Sequence, residues 1–185
     1  DRQVNPWGQC SGKRRKNQSS VYRTRNPQGS EPPNGRKHLL FEKEPGSTAS
    51  VMVVLDTTAF SAAMRKEPEI MDFLKEYRPG NIRTVPPVVA EIEYGIQRFN
   101  ERDRKHRLLS IQRDKLLQLI RVLPWNANSS RLFGNIKAEL ERKGTIIDDF
   151  DIAIAAIALS HSAEVVTANI AHFSRIPNLT SRHWR

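Results

Sequence analysis

An apolar run without polar alternation, VMVVLD at residues 51–56, is the feature that most restricts the fold. A strand that faces water on one side alternates apolar and polar residues, whereas this run offers apolar side chains to both faces before it ends at Asp56. Such a strand must be covered on both sides. We therefore expect it in the centre of a sheet that lies between two layers of helices.

The rest of the sequence after residue 56 alternates between helical and strand patterns. Apolar spacing, caps and breakers predict two short helices broken near Pro68, and further helical segments at 87–99, 100–119, 126–144 and 148–159. Strands are predicted at 81–85, 120–125, 163–169 and 179–184. This alternation predicts an α/β fold with three α/β/α layers and a central, mainly parallel sheet, but it leaves the order of the strands undetermined.

Residues 1–50 differ in composition from the rest of the chain. They are rich in Gly, Pro, Ser, Asn and Gln, carry ten Lys and Arg against four acids, and show little apolar periodicity. A segment of this kind buries too little surface to offset the entropy of ordering it. The chain also begins with Asp rather than Met. We therefore predict a disordered or artefactual basic tail at 1–50, followed by one folded domain at 51–185.

Charge and cysteine content narrow the possible partners. The net charge is +10, and residues 51–185 remain basic with twenty Lys and Arg against sixteen acids, which favours a polyanionic partner. The single cysteine, Cys10, excludes an intramolecular disulfide and a zinc site built on cysteines, and it fits a reducing cytoplasm. The sequence has no apolar run long enough to cross a bilayer, so we expect no membrane partner.

Acidic and amide side chains stand where the predicted strands end or where the following helices begin. Asp56 closes the first strand, Glu91 lies one turn into the helix after the second, Asp151 opens the apolar helix at 148–159, and Asn169 ends the strand at 163–169. In an open parallel sheet, ligands collect at the carboxyl ends of the strands. Acids gathered there would repel one another unless a cation lay between them, and oxygen ligands suit Mg²⁺. A metal-assisted attack on a phosphodiester is the predicted chemistry.

Each of these residues also has a purely structural interpretation. Asp148 or Asp149 is more readily explained as the cap of its helix, and capping is an equally good explanation of Asp56. Glu91 and Glu93 could be solvated helix residues, and Asn169 could simply form a turn. Asp151 resists a structural explanation most, because it lies inside the first helical turn between apolar neighbours.

Other chemistries find little support in the sequence. There is no glycine-rich phosphate loop or dinucleotide fingerprint. The five histidines have no metal-pair spacing and are interpreted as surface or interface residues. They are His38, His106, His161, His172 and His183.

Four ordered motifs, VVLDTTAFS, PPVVAEIEYG, LFGNIKAELERKGTIIDDFDIAIAAIAL and VVTANIAHFSRIPNL, resemble the PIN-domain ribonucleases of the VapC type. These are toxins of bacterial type II toxin–antitoxin modules. The resemblance covers nearly all of residues 51–184 and none of the tail. It implies a PIN fold, endoribonuclease activity that depends on Mg²⁺ or Mn²⁺, and restraint by a VapB-like antitoxin.

The same resemblance assigns the site residues. It makes Asp56, Glu91 and Asp151 the metal ligands, with Asn169 as the fourth catalytic position, and it leaves the roles of Asp148 and Asp149 open. Two departures occur: Thr58 stands where the family more often has Asn or Ser, and Asn126 where it often has Asp.

The resulting hypothesis is a cytoplasmic toxin that hydrolyses RNA, with an antitoxin and a second copy of itself as partners. The alternatives are a binding module without catalysis, which holds RNA or protein, and a PIN-type nuclease that acts on DNA or on structured substrates. Thr57 and Thr167 are expected to orient the ligands by hydrogen bonding.

Overall fold

The computed structural model describes residues 51–185, so the tail predicted at 1–50 lies outside the described residues. A five-stranded sheet in the order β3-β2-β1-β4-β5 forms the centre, and all four pairings are parallel. The strands are β1 (Val53–Leu55), β2 (Ile82–Thr84), β3 (Arg121–Val122), β4 (Glu164–Thr167) and β5 (Ser181–His183). The prediction that the first strand is central is confirmed, and its three residues are completely buried.

Seven α-helices flank the sheet within residues 51–185. They are α1 (Thr57–Arg65), α2 (Pro68–Leu74), α3 (Pro86–Gln97), α4 (Arg104–Leu119), α5 (Ala127–Arg142), α6 (Asp149–Ser160) and α7 (Ile170–Phe173). The predicted α/β fold with a parallel sheet between helices is confirmed.

Local chemistry sets the helix ends that frame the site. Asp56 is the N-cap of α1, and the two prolines that open α3 occupy positions where a missing N–H costs nothing. Asn126 caps α5: its Oδ1 accepts the backbone N–H of Ser129, and Oγ of Ser129 accepts the backbone N–H of Asn126. Gly144, with a φ of 64°, ends the following turn in a left-handed conformation that suits glycine.

The acidic residues at 148–151 directly precede the buried part of the apolar helix α6. Six of its residues are buried, and it packs against α3, α5, α7 and β4. Its first turn lies at the edge of this packing, where Asp149 is exposed and Asp151 is half-buried. The helix therefore carries acids to the rim of the sheet while its remainder fills the core.

One element does not follow from the sequence patterns. The short helix α7 lies where only a turn after Asn169 is expected, and its four residues are too few to show helical periodicity. Phe173, which is completely buried, fixes α7 to the core. Within residues 51–185, no helix is both long and apolar enough to cross a membrane.

Candidate active site

Asp56 lies at the carboxyl end of the central strand and is only 3% exposed. Its Oδ1 accepts hydrogen bonds from the backbone N–H of Ala59 at 2.8 Å and from the hydroxyl of Thr58 at 2.7 Å. Its Oδ2 accepts a bond of 2.6 Å from the hydroxyl of Thr167, the last residue of the neighbouring strand β4. The carboxylate is therefore a helix cap, and it is also held across two strands.

Burial raises the pKa of the Asp56 carboxyl above its ordinary value. Hydrogen bonds from Ala59, Thr167 and Thr58 oppose this effect, and the charge of Asp151 adds to it. A buried acid whose ionised form is disfavoured by burial and by a second acid is a feature of functional sites, since a nearby cation would relieve both costs.

The three acids that precede the apolar helix have three different contacts. Asp148 caps α6 by accepting the N–H of Phe150 at 2.8 Å. Asp149 forms an exposed ion pair with Lys137, whose Nζ is 2.7 Å from Oδ2. Asp151 contacts His172, with Nδ1 2.6 Å from Oδ2. Of the three, Asp151 is the one whose charge contributes to the raised pKa of Asp56, and its contribution is smaller than that of burial.

Glu91 and Asn169 are connected to Asp56 through threonines. The hydroxyl of Thr57, the residue after Asp56, donates to Oε2 of Glu91. The backbone N–H of Asn169 donates to Oγ1 of Thr167 at 2.7 Å, and Thr167 in turn donates to Asp56. These contacts agree with the predicted hydrogen-bonding roles of Thr57 and Thr167. Glu93, the other acid of this turn, pairs with Arg113 instead.

The donor set fits a hard cation in part. Asp56 and Asp151 supply carboxylate oxygens within electrostatic reach of each other, and Mg²⁺ is typically bound by one or two carboxylates together with water and phosphate. Within residues 51–185 there is no group of three or more His, Cys, Asp or Glu side chains that could hold a metal ion. The assignment of Glu91 as a third ligand therefore stays a prediction.

The contact of His172 does not follow from the sequence patterns, which predict a surface or interface residue, yet its Nδ1 bonds Asp151. Thr58, which stands where the family more often has Asn or Ser, donates its hydroxyl to Asp56. The only signal in the sequence is that His172 follows Asn169 by three positions. This spacing brings His172 to the site only because the residues after Asn169 form a helical turn, which the sequence patterns do not predict.

A groove with a volume of about 370 Å³ opens beside this site, between α1, α3 and α4. Thr57 and Glu91 form part of its lining, and apolar side chains provide much of the rest, together with the cations Arg65 and Lys105. Its apolar lining residues are Met64, Ile92, Ile96, Phe99 and Leu109.

Comparison with known proteins bears on this site. The family model described as "PIN domain" matches residues 53–179. "Ribonuclease VapC2" of Rickettsia felis is 30% identical over 136 residues, which are 72% of this chain and 98% of the relative. "tRNA(fMet)-specific endonuclease VapC" of Salmonella typhimurium is 26% identical over 131 residues, which are 71% of this chain and 96% of that protein.

A solved structure of a similar protein has the same fold. The crystal structure of VapBC2 from Rickettsia felis, bound to a DNA fragment from their promoter, superimposes with a TM-score of 0.65 and 30% identity, and the match covers 73% of this chain and 100% of that one. The strand-end acids, the parallel sheet and these matches agree with one another. The chain therefore belongs to the PIN domain family and is of the VapC type.

Proposed function

We propose that this protein is a metal-dependent endoribonuclease, the toxin of a VapBC-type toxin–antitoxin module, and that it hydrolyses RNA phosphodiester bonds in the cytoplasm. The observation that supports this most is the buried carboxyl of Asp56, whose pKa is raised by burial and by Asp151. The relatives named VapC, described as ribonuclease and as endonuclease, support the same reaction.

Asp56 and Asp151 would hold the cation, Mg²⁺ or Mn²⁺, with Glu91 as the proposed third ligand. When bound, such a cation neutralises charge on the scissile phosphate and makes a coordinated water more acidic. The protein's own contribution is orientation. Ala59, Thr58 and Thr167 fix both oxygens of Asp56, so the carboxylate needs little rearrangement when a cation or a substrate arrives.

RNA binding is proposed from charge. The described domain is basic in sum, although its acids gather at one rim, so phosphates elsewhere along an RNA would meet Lys and Arg. Exposed cations just before α4 and in its first turn are suitable contacts for the phosphate backbone of RNA. They are Arg102, Arg104, Lys105 and Arg107.

We propose the groove between α1, α3 and α4 as the docking place of a VapB-like antitoxin. Its apolar lining suits a peptide segment better than a nucleic acid backbone, and its end at Glu91 would let a bound segment place an Arg or Lys among the acids. The similar VapBC2 structure supports a partner of this type.

We also propose a homodimer through exposed apolar side chains of α3 and α4, Tyr94, Leu108 and Ile111, which light scattering of the purified protein would test.

The test of the proposed nuclease compares Asp151→Asn with Asp149→Asn. The two substitutions remove the same charge from the same helical turn, but Asp149 is paired with Lys137 at the surface, whereas Asp151 acts on Asp56. With Mn²⁺ and a single-stranded RNA or initiator tRNA as substrate, we expect D151N to lose cleavage and D149N to keep it. EDTA should stop the wild-type reaction.

Equal cleavage by D151N and the wild type would contradict the proposal. A matched single-stranded DNA in the same assay distinguishes a PIN-type nuclease with a different substrate. RNA binding that weakens with salt, without any cleavage in Mn²⁺, would instead indicate the binding module without catalysis.

A further inference from the structure

The contact between His172 and Asp151 has no part in the function proposed above. Nδ1 of His172 lies 2.6 Å from Oδ2 of Asp151, a short distance for a bond between nitrogen and oxygen. We assign the tautomer of His172 that carries its proton on Nδ1, so that the imidazole donates and Oδ2 of Asp151 accepts. His172 therefore presents a donor to one oxygen of an acid whose charge acts on Asp56.

The surroundings keep this donor in place. The side chain of Asp151 is 20% exposed and that of His172 is 38% exposed, so the pair is partly shielded from water. Phe173, the next residue, is completely buried and anchors α7, which also packs against α6 and β5. Within residues 51–185, His172 is the only side chain that forms a hydrogen bond or an ion pair with Asp151.

We propose that His172 is a positioning residue that orients the Asp151 carboxylate for cation binding. By occupying Oδ2, the imidazole fixes the rotation of the carboxylate and leaves Oδ1 free for the cation. Hydrogen-bond partners of metal-binding side chains typically change metal affinity by about 10- to 100-fold when they are removed. This inference rests on the proposed function, because it requires Asp151 to bind a cation.

Titration of the full chain with Mn²⁺, followed by calorimetry, tests the inference without measuring activity. His172→Leu removes the donor, and His172→Asn restores an N–H close to the position of Nδ1. We expect H172L to weaken Mn²⁺ binding by about 10- to 100-fold and H172N to recover most of that loss. The matched control is His161→Leu, because His161 also forms hydrogen bonds but lies at the opposite end of α6.

The outcomes separate this inference from the proposed function. Wild-type affinity in H172L, or an equal loss in H172L and H161L, would overturn the role of His172 while leaving the metal site intact. If the wild type binds no Mn²⁺, both the metal dependence and this inference fail.

A second measurement applies to the wild-type protein if H172L does not fold. Nitrogen NMR of the histidine rings should show His172 protonated at Nδ1 before metal is added, with ring shifts that change on addition of Mg²⁺. An unprotonated Nδ1, or a ring that does not respond to Mg²⁺, would also overturn the proposal.

Discussion

Replacing Asp56 should separate its role in the site from its role in the fold. Asp56→Asn keeps the shape of the side chain and removes the charge that burial disfavours, whereas Asp56→Ala removes the helix cap as well. In metal-free solution, we expect D56N to be at least as stable as the wild type and D56A to be clearly less stable than D56N.

The difference between the two variants can be worked from the contacts. Both remove the same charge, so the relief from desolvation is common to them and cancels in the comparison. Asn keeps an oxygen for the Ala59 N–H and the Thr58 hydroxyl, and it can donate to Thr167. A lost N-cap costs about 1 kcal/mol, and each of the two lost hydrogen bonds to threonine hydroxyls costs about 1 kcal/mol more. D56A should therefore be less stable than D56N by about 3 kcal/mol, which lowers Tm by about 9 to 12 °C in a domain of this size.

The assay is thermal unfolding followed by circular dichroism, first in EDTA and then in Mn²⁺. At 100 times its Kd, Mn²⁺ should stabilise the wild type by about 2.7 kcal/mol, whereas D56N should show little of this shift. An equal loss of stability in D56N and D56A, measured in EDTA, would contradict the expected gain from removing the buried charge. A full Mn²⁺ shift in D56N would contradict the role of Asp56 as a metal ligand.

Three further predictions concern pH, the groove and the core. Because the pKa of Asp56 is raised in the folded state, its contribution to stability is present below the unfolded pKa, which is near 3.8, and is lost as pH rises through the folded value. In urea unfolding with EDTA, the free energy of unfolding of the wild type should therefore decrease relative to that of D56N as pH rises. A difference between the two that does not change with pH would contradict this prediction. Gly95 lines the groove and has open space around it, so Gly95→Leu should fill part of the groove. In a titration, this variant should bind a peptide from the antitoxin about tenfold more weakly, a loss of about 1.4 kcal/mol. The control is Gly134→Leu on α5, which also lies in open space and should leave the affinity for the peptide unchanged. Phe173→Ala should lower the free energy of unfolding by about 3 to 5 kcal/mol, because the ring is completely buried, and a loss below about 1 kcal/mol in urea would show that α7 is not anchored by this residue.

The sequence predicts most of the secondary structure because each signal for it is local. An apolar run without alternation must be buried on both sides, and the central strand, Val53–Leu55, does lie within VMVVLD. Likewise, Pro86 and Pro87 begin a helix, and Asn126 caps one, for reasons contained within a few neighbouring residues. Strand order is different, because it depends on which hydrophobic faces pack together across the whole domain.

In the site too, contacts between neighbouring residues can be predicted from the sequence, whereas contacts between distant residues cannot. Capping by Asp148 follows from its position before a helix, as the sequence suggests. The bond between Thr167 and Asp56 joins residues 111 positions apart, and that between His172 and Asp151 joins residues 21 apart, so neither can be inferred from spacing. Whether Glu91 joins the two aspartates as a ligand depends on side-chain positions in the presence of a cation.

The proposed cation site is tested most directly by a crystal structure of the protein grown with Mn²⁺ and measured near the manganese absorption edge. We expect an anomalous peak between the carboxylates of Asp56 and Asp151, within bonding distance of an oxygen from each. Wild-type crystals that show no peak there, from protein that still cleaves RNA, would contradict this expectation.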